Sequence, residues 1–214
     1  MKLAAALVAA GLATAGTAQA QDWTVYAGTE LEYLTEPGGD DGGDSARLAG
    51  YVEAESNGFY LGIWGRVDSV SVANEIDLYL GYRQSLDSGF DYSLSYTRYF
   101  YPNDGGDCCG ELGVTVGQTL GDQFYVYSEA YYDPEVDLGS VYAGAEFYAT
   151  DAITVSGSVG LYNATANRDE TEWDLGVGYA LGDETALDLR YYQGSEYDGY
   201  VGLSLTFDTT LFGG

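Results

Sequence analysis

The run Trp23-Thr24-Val25-Tyr26-Ala27-Gly28-Thr29-Glu30-Leu31-Glu32-Tyr33 alternates with a period of two. Trp23, Val25, Ala27, Thr29, Leu31 and Tyr33 share one face; Thr24, Tyr26, Gly28, Glu30 and Glu32 share the other. Successive side chains of an extended chain point to opposite sides, so this period belongs to a strand. Carboxylates on one face of a strand are costly unless that face stays wet. The run therefore predicts a strand with one dry side and one hydrated side.

The pattern recurs outward from there. Phe59, Leu61, Ile63 and Val67 oppose Tyr60, Trp64, Arg66 and Asp68, and Ile76, Leu78, Leu80 and Tyr82 oppose Glu75, Asp77, Tyr79 and Arg83. About twelve such segments follow one another, near 23–34, 46–56, 59–68, 74–86, 90–101, 111–120, 124–133, 138–149, 152–162, 171–181, 185–193 and 199–207, each close to the ~9–11 residues a tilted strand needs to cross a bilayer. Tight turn signals stand at Ser56-Asn57-Gly58, Asp87-Ser88-Gly89, Gly121-Asp122-Gln123, Thr150-Asp151 and Gly182-Asp183-Glu184. Between them lie longer connections at 35–45, 69–73, 102–110, 134–137, 163–170 and 194–198, which hold all three prolines. Short and long alternate without exception, as they do in outer-membrane barrels. In lipid an open sheet would leave edge amides unpaired, so the sheet has to close. The expected fold is all-β, a closed up-and-down antiparallel transmembrane β-barrel with both termini at the tight-turn end.

The ends and the composition agree with export. Met1-Lys2, the apolar run to Ala15 and the small-x-small pattern Ala18-Gln19-Ala20 read as a signal peptide over 1–20, with the barrel over 21–214. The expected location is the outer membrane of a Gram-negative bacterium. No later stretch is long and apolar enough for a transmembrane helix. The chain carries 34 acidic residues against seven basic ones, a formal charge of −27, which excludes nucleic acid as a partner. There is no histidine, so no Ser-His-Asp catalytic arrangement can form. The chain is not expected to be an enzyme, nor to use a cofactor. Cys108 and Cys109 are adjacent and lack zinc-site spacing, which leaves a vicinal disulfide or two free loop thiols. The acidic loop 36–44 lacks the spacing of a calcium loop and reads as solvated. Asn163-Ala164-Thr165 matches a glycosylation sequon by chance in a bacterial barrel.

Aromatic residues are sorted by position. Trp23, Phe59, Phe90, Phe124, Phe147 and Phe207 fall on apolar faces near tight turns and predict a girdle at one membrane boundary. The final run Tyr200-Val201-Gly202-Leu203-Ser204-Leu205-Thr206-Phe207 resembles the terminal strand of bacterial outer-membrane proteins. In those proteins the phenylalanine usually ends the chain and is read by the barrel-assembly machinery. Seven residues follow Phe207 here, so either Phe207 or Phe212 is the element read.

A further resemblance lies in Glu55-Ser56-Asn57-Gly58-Phe59-Tyr60-Leu61-Gly62-Ile63-Trp64-Gly65, Asn74-Glu75-Ile76-Asp77-Leu78-Tyr79-Leu80-Gly81-Tyr82-Arg83 and Tyr99-Phe100-Tyr101-Pro102. Over residues 50–102 the chain resembles the TorF-type porins of proteobacteria. The resemblance implies outer-membrane location and passive transport, and carries over no catalytic residue.

On the alternation alone, Glu30, Glu32, Glu53, Glu75, Asp77, Glu129, Glu146, Asp174 and Asp188 point inward, opposed by Arg47, Arg66, Arg83 and Arg190. A carboxylate-lined lumen favours cations. The expectation is a porin passing small cationic or neutral solutes. Its alternative is an occluded structural or adhesive barrel, because small barrels are filled by their own side chains and inward tyrosines are bulky. Partners would be outer-membrane lipid and lipopolysaccharide, the assembly machinery, small solutes or ions, and further copies of the chain as a homo-oligomer. Arg98 shares the face of Leu94 and Tyr96, and either snorkels at the loop end or is turned inward by a bulge.

Overall fold

The computed structural model describes residues 23–37, 43–69, 74–165 and 168–213. The segment 1–20 expected to be a signal peptide, the centre of the acidic loop and the side chains of the sequon lie outside the described residues. Twelve strands form: β1 (Thr24–Leu34), β2 (Ser45–Ser56), β3 (Phe59–Asp68) and β4 (Glu75–Ser85). Then come β5 (Phe90–Tyr101), β6 (Gly106–Leu120), β7 (Phe124–Asp133) and β8 (Leu138–Tyr148). The chain finishes with β9 (Ile153–Thr165), β10 (Arg168–Ala180), β11 (Thr185–Gly194) and β12 (Tyr200–Phe212). Each pairs antiparallel with its neighbours in sequence, and β1 pairs with β12 to close the barrel. The expected twelve-stranded up-and-down barrel is the fold.

The tight turn between β2 and β3 shows how local chemistry sets the register. Asn57 and Gly58 both have positive φ, 52° and 81°. Two such residues make the turn whose twist matches the twist of paired strands, and Asn-Gly is its preferred sequence. Ser56 thereby faces Phe59, and the ladder runs up to Arg47 opposite Asp68.

Several strands are longer than their alternation suggests. β6 begins at Gly106 and takes in the two cysteines, leaving only 102–105 to connect it to β5. β9 and β10 run on for 13 residues each and leave 166–167 between them. The strict alternation of short and long connections therefore does not hold. Part of the expected loop length is strand instead, because a hairpin ladder can continue wherever both edges find partners. β12 also continues past Phe207: Asp208, Thr209, Thr210 and Phe212 pair with Gly28, Ala27, Tyr26 and Val25 of β1. Those four residues cover the start of β1, whose edge would otherwise lack a partner.

Glycine and tyrosine meet across the ladders. Gly62 faces Tyr79, Gly81 faces Tyr60, Gly113 faces Tyr131, Gly144 faces Tyr127 and Gly160 faces Tyr142. In each case the ring lies where a side chain on the glycine would have to be. Tyr60, Tyr127 and Tyr142 are consequently buried although they face the interior. The outer face is predominantly apolar, with Leu31, Leu61, Leu80, Val141 and Leu175 about half exposed.

Candidate functional site

The interior is the site. Burial and register turn Glu30, Glu32, Glu53, Glu75, Asp77, Glu129, Glu146, Asp174, Asp188 and the four arginines toward it. Its cavities include these three. Near the tight-turn rim, about 320 Å³ is bounded by Glu55, Arg83, Asp91 and Ser93. The largest of the three, about 720 Å³, is lined by Tyr26, Tyr51, Glu53, Tyr60, Trp64, Asp77, Tyr79, Arg83, Tyr99, Glu111, Glu129, Tyr131 and Asp208 among others. The third, about 190 Å³, is lined by Glu30, Glu32, Arg47, Trp64, Arg66, Asp174, Asp188, Arg190 and Tyr192. Arg83 borders the first two cavities, and Trp64 borders the last two.

Each inward arginine is held by acidic neighbours. Arg47 binds Asp68 at 2.9 Å and Glu32 at 3.4 Å. Arg66 binds Glu75 at 2.7 Å. Arg83 reaches Glu53 at 2.5 Å and also Glu55, two strands away across β3. Arg190 joins Asp188 at 3.0 Å and Asp174, and donates to Ser156 Oγ at 2.7 Å. Tyrosine hydroxyls supply much of the remaining donation. Tyr125 donates to Asp91 at 2.9 Å, Tyr99 to Glu111 at 2.9 Å, Tyr142 to Glu172 at 2.5 Å and Tyr148 to Glu146 at 2.8 Å. A phenol donates a hydrogen bond but no charge. Glu30, Asp77, Glu129 and Asp208 form no ion pair with arginine among the described residues. Among the inward residues named above, carboxyl groups outnumber guanidinium groups.

Rings that rest on glycines lie along the wall. At the loop end a second group stacks, Tyr192 on Tyr200 at 4.9 Å and Tyr197 on Tyr200 at 5.6 Å. Burial and the nearby charge of Glu172 raise the Tyr197 phenol above its ordinary range.

The remaining expected positions are placed as follows. Trp23 precedes β1; Phe59, Phe90 and Phe124 start strands beside tight turns, and Phe147 stacks on Phe124 at 4.9 Å. Phe207 does not end its strand, but it sits opposite Thr185, the first residue of β11. Arg98 stays on the outward face at the loop end, bound to Asp107 at 2.6 Å and to Glu135. A bulge does occur beside it, on β6 between Cys109 and Asp107, and it does not turn Arg98 inward. Cys108 is the extra residue of that bulge, and it is disulfide-bonded to Cys109. Glu111 and Asp208 face the largest cavity but were missed in the sequence. Alternation with Leu112, Val114 and Val116 marks Glu111 as inward; Asp208 carries the same mark once β12 is continued.

Solved structures share this architecture. The KdgM porin superposes with a TM-score of 0.67 at 10% identity, over 84% of this chain and 98% of that one. The fold is that of the outer-membrane porins. The NanC porin follows with a TM-score of 0.66 at 9% identity, over 87% of this chain and 100% of that one. Omp33, an outer membrane protein of Acinetobacter baumannii, gives a TM-score of 0.53 at 12% identity, over 89% of this chain and 100% of that one. No family model and no curated protein matches the chain. The porin likeness thus extends over the whole barrel without reaching the TorF-type family by name.

Proposed function

We propose that the chain is an outer-membrane channel through which small cationic or neutral solutes diffuse passively. The observation that carries this reading is the charge left over in the interior. Once the four inward arginines have bound their acidic neighbours, Glu30, Asp77, Glu129 and Asp208 remain uncompensated by arginine. Carboxylates around a wet passage attract cations and repel anions. The residues named above as facing inward would then line the conduction path. The apolar outer face suits lipid: a water-soluble protein seldom leaves so continuous an apolar surface uncovered. Outer-membrane lipid and lipopolysaccharide would surround that belt, and the assembly machinery would read β12. One KdgM porin structure is a complex with disordered oligogalacturonate. That ligand is a polyanion, and the acidic interior of this chain is suited to the opposite charge.

Planar-bilayer recording of the refolded protein across a potassium chloride gradient tests the proposal. Stepwise conductance with a cation-selective reversal potential is expected. Absence of steps at every salt concentration refutes it and favours the second reading, an occluded structural or adhesive barrel. The arginine–carboxylate pairs that bridge strands inside the barrel, such as Arg83 with Glu53 and Arg190 with Asp174, are the observation in favour of that alternative.

A further inference from the structure

We infer that the largest of the three interior cavities binds an organic cation, an ammonium or guanidinium group carried on an apolar or aromatic body. The inference rests on the acidic interior of the proposed channel, but not on the channel being open. At about 720 Å³ the cavity falls within the ~300–1,000 Å³ typical of small-molecule sites. Along one wall, in strand order, stand Asp77 on β4, Tyr99 on β5, Glu111 on β6, and Glu129 and Tyr131 on β7. Aromatic faces and carboxylates thus alternate around one space. A cation with organic substituents gains from both, through the ring quadrupole and through charge. A small inorganic ion gains mainly from the carboxylates, and an anion from neither.

The protein's own guanidinium groups already show this chemistry, Arg83 at the border of the cavity and Arg66 in the neighbouring one. Arg83 stands 4.7 Å over the ring of Tyr60 while bound to Glu53 and Glu55. Arg66 stands 5.5 Å from the ring of Trp64 while bound to Glu75. Asp77 and Glu129 have no such occupant. Asp77 Oδ1 and Glu129 Oε2 are buried without a hydrogen-bond partner, as is Trp64 Nε1. Buried acceptors left without donors are costly, and a charged N–H group entering the cavity would supply a donor to either carboxylate. Among the described residues no three metal-binding side chains come together closely enough to hold a metal ion, which favours an organic cation over a metal.

The test uses the full refolded barrel in detergent micelles, with its fold verified by heat-modifiable gel migration. Benzylammonium is titrated by calorimetry, with benzyl alcohol and benzoate as neutral and anionic counterparts of similar size. Saturable one-to-one binding of the cation is expected, at least about tenfold tighter than either counterpart, a difference of ~1.4 kcal/mol or more. Asp77→Asn with Glu129→Gln should weaken it about tenfold. Tyr99→Leu and Tyr131→Leu, made separately, should weaken it while leaving the charges in place. Trp64→Phe should remove any fluorescence change on binding. Equal affinity for the three compounds, or unchanged affinity in the folded carboxylate variant, overturns the inference. Channel steps in potassium chloride without cation binding would leave the channel proposal standing and this one refuted. Cation binding without channel steps would do the reverse.

Discussion

Tyr142 offers a quantitative test of how the wall is held together. Its ring is 5% exposed, rests on Gly160 of β9, and its hydroxyl donates to Glu172 on β10 at 2.5 Å. An aromatic side chain of this kind buries ~150–250 Å², which at ~25 cal/mol per Å² is about 4–6 kcal/mol. Water can enter the space it leaves, so Tyr142→Ala should cost about 3–4 kcal/mol, the lower part of the range for aromatic truncations. Tyr142→Phe keeps the ring and loses the hydroxyl that donates to Glu172, a carboxylate that water can reach, which should cost about 1 kcal/mol. Gly160→Ala places a methyl group in the space of the ring, and overpacking of that sort costs ~1–3 kcal/mol. In the Tyr142→Ala background the same glycine change should be neutral or slightly stabilising, since glycine inside a strand is itself unfavourable by ~0.5–1 kcal/mol. The coupling between the two sites is therefore at least about 1 kcal/mol, measurable by urea unfolding in lipid vesicles as a double-mutant cycle. Additive effects, or a Tyr142→Phe variant as unstable as Tyr142→Ala, would refute the account of ring on glycine.

Other expectations follow from particular contacts. Arg190→Gln frees Asp174 and Asp188 beside Glu30 and Glu32, so the reversal potential should shift further toward cations, most at low salt where screening is weak. Gly58→Ala forces an L side chain to φ 81° and sets its Cβ 2.5 Å from the Arg83 carbonyl oxygen. Unfolding in urea should show a loss of about 1–2 kcal/mol, and an unchanged midpoint would argue against the Asn57-Gly58 turn. Ending the chain after Phe207 removes the residues that pair with Val25, Tyr26, Ala27 and Gly28. Refolding into vesicles should slow and the yield of heat-modifiable protein should fall; a wild-type rate would show that the added pairing is dispensable.

Much of the barrel was legible because alternation needs no partner to be seen. The runs 59–68 and 124–133 carry it clearly and match β3 and β7 to the residue. The alternation fades where both faces are polar. Arg168, Asp169 and Glu170 present no apolar side, so the lower reach of β10 looks like loop even though it pairs with β9. Asp208 was lost the same way, beyond a phenylalanine that resembled a terminus. The interior was legible as to which residues face it and no further. That Arg83 would bind Glu53 and Glu55 depends on the β2–β3 and β3–β4 registers together, which no single strand encodes. The meeting of glycine with tyrosine is likewise a property of pairs of strands, so inward tyrosines read as obstructions when five of them lie against the wall.

That arrangement has an evolutionary consequence. The bore of a barrel is usually thought of as set by the number of strands, which changes only by adding or losing whole hairpins. Here Gly62, Gly144 and Gly160 each leave the space that a tyrosine ring fills beside the wall. A glycine codon becomes an alanine codon by one nucleotide change, and the ring then has to move from that space. The calibre of such a barrel can be altered one base substitution at a time while the strand count and the outer surface stay as they are.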